Sequence, residues 1–145
     1  MTEPLFRKVD CIQLPVPSID EGLDFYAATL GHELIWRTET QAALRLPDSD
    51  AELVLQTERT EPEVDLLVKS IDDAVRRIQS AGGRLVTEAF DIPVGRLAVA
   101  TDPFGNPLVL IELSKGRFVT DADKNVTGIA SQSSHRGPGD RPSIC

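Results

Sequence analysis

Leu14-Pro15-Val16-Pro17-Ser18-Ile19-Asp20 returns later in the chain as Leu66-Leu67-Val68-Lys69-Ser70-Ile71-Asp72, at an offset of 52 residues. The correspondence extends outward, pairing Leu23 with Val75, Tyr26 with Ile78, Gly31 with Gly83 and Leu34 with Val86. Two copies of one supersecondary unit follow, and a site between them is expected to draw on equivalent positions of each. Each copy opens as a strand buried on alternate sides. In the first, Val9, Cys11 and Gln13 point one way and Ile12, Leu14 and Val16 the other. In the second, Val64, Leu66 and Val68 form the apolar row, opposite Glu63, Asp65 and Leu67.

A helix entry follows each strand. Ser18 and Ser70 can cap free amides, and the acids at Asp20, Glu21, Asp72 and Asp73 suit the positive helix end. Ile19, Leu23, Tyr26, Ala27 and Leu30 recur at helical spacing, as do Ile71, Val75 and Ile78. Gly31 and Gly82-Gly83 stop the two helices. Further strands are predicted at 32–37, 42–46 and 52–56, then at 84–88, 96–101 and 107–113. Each half reads strand, helix, three strands, which places the chain in the α+β class. Past about residue 116 the periodicity stops, and the Ser/Gly/Pro-rich 131–143 stretch cannot order itself. Residues 117–145 are therefore expected to be a disordered tail whose removal leaves the thermal midpoint nearly unchanged.

At 145 residues, 41% hydrophobic and 26% charged, the chain suits one domain, residues 1–116, in which both repeats share a core. No apolar run spans a membrane and the start lacks a signal-peptide stretch, so a soluble cytoplasmic protein is expected. A net charge of −8 opposes binding to nucleic acid or to anionic membranes. Cys11 and Cys145 do not make a disulfide framework, and Cys11 reads as a buried, unreactive thiol. Asn125-Val126-Thr127 reads as a chance acceptor sequence.

The tandem βαβββ pattern resembles the vicinal oxygen chelate superfamily, which includes glyoxalase I, bleomycin-resistance proteins, extradiol dioxygenases and fosfomycin-resistance enzymes. The resemblance covers residues 8 to 114, as modules 8–57 and 62–114. Its most specific element is Asp102-Pro103-Phe104-Gly105-Asn106-Pro107, similar to the Asp-Pro-x-Gly-Asn turn before that family's last strand. Val9-Asp10 with Leu14-Pro15-Val16, and Phe25-Tyr26 with Leu30-Gly31, resemble its first strand and helix. The resemblance implies a cupped mixed sheet flanked by helices, and a homodimer.

It also implies where a divalent metal would sit. Metal-binding members use a His or Gln just after the Val-Asp pair of each first strand and a Glu on each last strand. Here those positions hold Cys11, Glu63, Val54 and Val109, and valine has no lone pair to offer. No cofactor is predicted and no catalytic residue is assigned. The expectation is a small-molecule-binding protein of the glyoxalase/bleomycin-resistance type, which sequesters or senses its ligand. Its cavity is lined by Cys11, Gln13, Val54 and Gln56 from the first module and by Glu63, Asp65, Leu67, Val109 and Ile111 from the second. Acids at one end and valines at the other suit a ligand with a cationic group and an apolar body.

The alternative is a divergent metal-dependent lyase or isomerase of glyoxalase type, with a divalent metal displaced to Gln13, Glu52, Glu63 and Asp65. Glu112 is set aside because it shares parity with helix-facing Leu108 and Leu110. The bland reading of Glu63 and Asp65 is a solvated strand end, or pairing with Arg45 or Arg96. Arg37, Arg45 and Arg96 on strands could instead grip an anion. Trp36, Phe90 and Phe104 belong either to the core or to a stacking surface, and His32 and His135 to the protein surface.

Overall fold

The computed structural model describes residues 3–131. Its strands are β1 (Lys8–Pro15), β2 (Leu34–Arg37), β3 (Gln41–Arg45), β4 (Glu52–Gln56), β5 (Glu63–Leu67), β6 (Arg84–Ile92), β7 (Gly95–Thr101), β8 (Pro107–Leu113), β9 (Gly116–Thr120) and β10 (Val126–Ser131). Helix α1 (Ile19–Leu23) follows β1 and α2 (Ile71–Ser80) follows β5. Both begin as their serines require: Ser18 Oγ accepts from Glu21 N and Ser70 Oγ from Asp73 N. Gly31 and Gly82, at φ 88° and 98°, take the left-handed turn that ends each helical segment.

Eight strands form one mixed sheet in the order β2-β3-β4-β1-β5-β8-β7-β6. The two first strands, β1 and β5, lie antiparallel at its centre, and each is flanked by the last strand of its own module, β4 or β8, running parallel to it. This is the α+β fold of two βαβββ modules that the repeat implies. On one face α1, through Ile19, covers Ala42, Leu44 and Leu55, and α2 covers Val68, Ala98, Ala100 and Leu110. Gly22 lets α1 approach closely, because a Cβ there would lie 2.9 Å from Leu55 Cδ1. Among the described residues no helix is long and apolar enough to cross a membrane.

Four details depart from the sequence reading. After Leu23 the first helix widens into a π-helical segment, Asp24–Thr29, in which Leu30 N donates to Phe25 O, and Leu30 is 52% exposed instead of packed. A bulge at Asp10 pairs Val9 with Leu66 while Cys11 pairs with Asp65, so Val9 sits opposite the helix-side row rather than with Cys11. Cys11 is disulfide-bonded, which corrects the expectation of a free thiol; the other cysteine, Cys145, lies outside the described residues.

The largest departure is at the C-terminal end. Residues 116–131 are not a disordered tail but a β9–β10 hairpin forming a sheet of its own. Its turn repeats one used earlier. Asp102 Oδ1 accepts from the N–H groups of Phe104 and Asn106 and Oδ2 from Asn106 Nδ2; Asp121 Oδ1 accepts from Asp123 and Asn125 and Oδ2 from Asn125 Nδ2. Lys124, at φ 70°, stands where Gly105, at φ 91°, stands in the first turn. These bonds hold both exposed aspartates below the usual carboxylate range, led by the Asn106 side chain at Asp102 and the Asn125 amide at Asp121. The rest of the expected tail, residues 132–145, lies outside the described residues.

Candidate functional site

The face away from the helices carries the residues expected to line a site. Register fixes how they meet. One row across the sheet runs Trp36, Ala43, Val54, Gln13, Glu63, and the next runs Arg45, Glu52, Cys11, Asp65, Val109. Cys11, Gln13, Val54, Gln56, Asp65, Val109 and Ile111 are all buried there, while Glu63 and Leu67 are partly so.

At the centre of this face, where the modules meet, is a polar cluster. Gln13 Nε2 donates to Glu63 Oε2 at 2.9 Å and to Asp65 Oδ2 at 3.2 Å. Gln13 Oε1 accepts from Arg59 Nη2, and Arg59 Nε lies 3.5 Å from Glu63 Oε1. Arg59 comes from the connection between modules, which Gln56 holds in place: its Oε1 accepts from the amides of Glu58 and Arg59 at 2.8 and 2.7 Å, and its Nε2 donates to Arg59 O at 3.0 Å. Burial, reinforced by the hydrogen bond and charge of Glu63, pushes the Asp65 carboxyl up to about 9. At neutral pH Asp65 is therefore the neutral acid of the cluster.

Asp65 is buried and Glu63 partly so, and neither is matched with Arg45 or Arg96. Arg45 pairs with Glu33 at 3.6 Å, Arg96 with Asp72 at 3.8 Å and Arg37 with Asp20 at 3.4 Å. Arg59, which the sequence reading did not single out, is the partner. Glu112 lies on the helix face, where its Oε1 accepts from Ile71 N at 2.9 Å, as strand parity requires. His32 Nδ1 meets the carbonyl of Arg45 at 3.1 Å, far from the acids in register, and His135 lies outside the described residues.

The displaced metal set does not fit a divalent ion. Gln13 turns its amide nitrogen, a donor, toward both carboxylates, and its oxygen is taken by Arg59. Glu52 is set one residue pair away, opposite Cys11. The residues facing Gln13 and Asp65 on the flanking strands are Val54 and Val109. Among the described residues no group of three His, Cys, Asp or Glu side chains is placed to hold a metal.

The apolar part of this face is covered by the hairpin. Phe118 packs with Cys11, Trp36, Ala43 and Val54 on one side and with Val94 and Ile111 on the other, its ring 4.8 Å from that of Trp36. Trp36 is thus core, whereas Phe90 and Phe104 are 46% and 86% exposed. Phe118 was missed because it falls in the stretch read as tail. The signal available was the shared Asp-x-x-x-Asn spacing of Asp102–Asn106 and Asp121–Asn125, flanked by strand-like Phe118-Val119-Thr120 and Val126-Thr127.

A family model described as the Glyoxalase/Bleomycin resistance protein/Dioxygenase superfamily matches residues 8–110. No curated protein matches the chain by sequence. Among solved structures it is similar to methylmalonyl-CoA epimerase from Mycobacterium tuberculosis, with a TM-score of 0.64 and 23% identity over 77% of this chain and 91% of that one. A structure titled NAD-dependent benzaldehyde dehydrogenase from Legionella pneumophila gives 0.59 and 20%, over 71% and 97%. Homoprotocatechuate 2,3-dioxygenase from Brevibacterium fuscum gives 0.56 and 20%, over 76% of this chain and 37% of the dioxygenase. Identities at this level show a shared fold.

Proposed function

The chain belongs to the glyoxalase/bleomycin resistance protein/dioxygenase superfamily, and within it we propose that it binds a small organic ligand on the face away from the helices without performing metal chemistry. The observation that carries this reading is the pair of valines opposite the two polar residues at the centre: Val54 faces Gln13 and Val109 faces Asp65. A metal held by Gln13 and Asp65 would need its remaining protein ligands from those flanking strands, and valine supplies none. The fold itself does not decide activity, since one scaffold hosts many.

The polar cluster sets the ligand's chemistry. Arg59 lies on a connection, with its side chain 44% exposed, and it neutralises a Glu63 carboxylate that has 21% side-chain exposure. A ligand with a cationic group takes the place of Arg59 against Glu63 and Gln13, and its apolar body lies over the valines. The test is a titration of the intact protein, followed by the fluorescence of its one tryptophan, with small arylammonium cations and their uncharged isosteres. Cations are expected to bind at least tenfold more tightly, and Glu63→Gln to remove the difference. Equal binding of both, or of neither, refutes the reading. One divalent metal per chain, retained on dialysis and lost in Glu63→Ala, would favour the lyase or isomerase.

A further inference from the structure

Arg59 displays what the acid cluster accepts. Its side chain lays one edge of the guanidinium, Nη2 with Nε, against two oxygens: Nη2 donates to Gln13 Oε1, and Nε lies 3.5 Å from Glu63 Oε1. The acceptor pair is set by the sheet. Gln13 Nε2 is engaged by Glu63 Oε2 at 2.9 Å and Asp65 Oδ2 at 3.2 Å, and this turns the oxygen of the same amide toward Arg59. A carboxamide donates from one arm and accepts on the other, so two acids holding its nitrogen leave its oxygen to receive a donor. Gln13 is 3% exposed, and a buried acceptor of this kind needs a partner. Two neighbouring oxygens, one of an amide and one of a carboxyl group, match the planar fork of a guanidinium, whose parallel N–H groups are rigidly spaced. An ammonium is a compact point charge with diverging N–H groups and matches them less well.

Arg59 fills this receptor incompletely. Its backbone is anchored by Gln56, whose Oε1 accepts from Arg59 N at 2.7 Å and whose Nε2 donates to Arg59 O at 3.0 Å. From that anchor Nη2 reaches its oxygen while Nε stops at 3.5 Å, outside hydrogen-bond range. The side chain is 44% exposed, and ion pairs in contact with water contribute little. Since Gln56 grips the backbone and not the guanidinium, the side chain can swing out while the connection stays in place. We infer that the cationic group of the ligand is an N-substituted guanidinium, and that Arg59 is its built-in competitor, an occupant of the receptor that the ligand displaces. A ligand guanidinium, free of the Gln56 anchor, brings both N–H groups into range. The inference rests on the reading above for the face and for the cation, and adds the headgroup and the autoinhibitory contact.

The test is calorimetric titration of the full chain with benzylguanidinium, benzylammonium and benzyl alcohol, which share one apolar body. Benzylguanidinium is expected to bind at least tenfold more tightly than benzylammonium. Equal affinities for the two cations overturn the inference; if both still exceed benzyl alcohol tenfold, the requirement for a cation survives, so the two readings fail separately. In Arg59→Ala, benzylguanidinium is expected to bind at least tenfold more tightly than to the wild type, because a tethered competitor acts at an effective concentration of about millimolar. Unchanged or weaker affinity would make Arg59 a fixed part of the site and overturn the inference. A second measurement holds even where the variant is less stable. At equal ionic strength, millimolar methylguanidinium is expected to raise the thermal midpoint of Arg59→Ala more than methylammonium does, and equal shifts overturn the inference as well.

Discussion

Gln13 and Asp65 occupy the same position in the two repeats and are hydrogen-bonded to each other, Gln13 Nε2 to Asp65 Oδ2 at 3.2 Å. The antiparallel pairing of β1 with β5 brings equivalent positions of the modules together, so a difference between the copies, amide in one and acid in the other, becomes a contact. Burial of Asp65, reinforced by a second acid, Glu63, beside that contact, makes it sensitive to pH.

Burial pushes the Asp65 carboxyl of the folded protein up to about 9, from an ordinary value near 3.8. Between these values the folded state holds a proton that the unfolded state has released. The resulting stability is fully present below the unfolded value and is lost as pH rises through the folded one. Asp65→Asn, which keeps the neutral shape, is expected to raise the thermal midpoint at pH 8 by about 5 °C, the gain for ~1–2 kcal/mol in a domain of this size. Calorimetry from pH 4 to 9 checks this: the gain should shrink toward pH 4, and a constant or inverted difference would show that Asp65 is ionised in the fold.

Val54→Glu combined with Val109→Glu is expected to create metal affinity where the wild type has little. The new carboxylates would face Gln13 and Asp65 from the flanking strands. Two more buried acids destabilise the metal-free protein. Nickel or manganese should then raise the midpoint of the double variant, by about 2.7 kcal/mol of stability at a hundredfold excess over the dissociation constant. A midpoint indifferent to metal would mean that these positions do not converge.

Glu112→Ala removes the acceptor of the Ile71 amide at the start of α2. The expected cost is about 1 kcal/mol in urea denaturation, in the range of a lost helix cap. Glu112→Gln keeps an acceptor oxygen and should lose less; equal losses would assign the effect to charge at the helix end.

Lys124 adopts φ 70° in a turn whose counterpart uses Gly105. Lys124→Gly should stabilise the protein by roughly 1 kcal/mol, the cost of a left-handed conformation for a residue with a side chain, less some added chain entropy. A loss of stability would show that the Lys124 side chain contributes more than its backbone costs.

Ending the chain after Lys115, compared with the full chain under reducing conditions because the truncation also removes the second of the two cysteines, removes the hairpin and uncovers Trp36. Half-burial of Phe118 and its ring contact together suggest a loss of about 2–3 kcal/mol, and so a midpoint lower by several degrees. The emission of the single tryptophan should shift to longer wavelength. An unchanged midpoint would restore the tail reading.

Local pattern carried the fold. Alternation in β1 and β5, serine caps at Ser18 and Ser70, and glycine stops at Gly31 and Gly82 each act within a few residues, and their recurrence at one offset specified two βαβββ modules. Parity along single strands placed Gln13, Glu63, Asp65 and the two valines on one face and put Glu112 on the other, because successive side chains of a strand must alternate. What tertiary structure decided lies between elements distant in sequence. The register of β1 against β5 set Gln13 opposite Glu63 and diagonal to Asp65, within hydrogen-bond reach of both, and the loop pinned by Gln56 delivered Arg59 to Gln13 and Glu63. Burial then kept Asp65 neutral, which no composition reveals, since desolvation depends on everything packed around a group. The hairpin is the clearest case: a short two-stranded ribbon is marginal alone, and contacts with the body distant in sequence, among them Phe118 and Val126 on the Trp36 cluster and Arg37 N on Lys124 O, give residues 116–131 a reason to order.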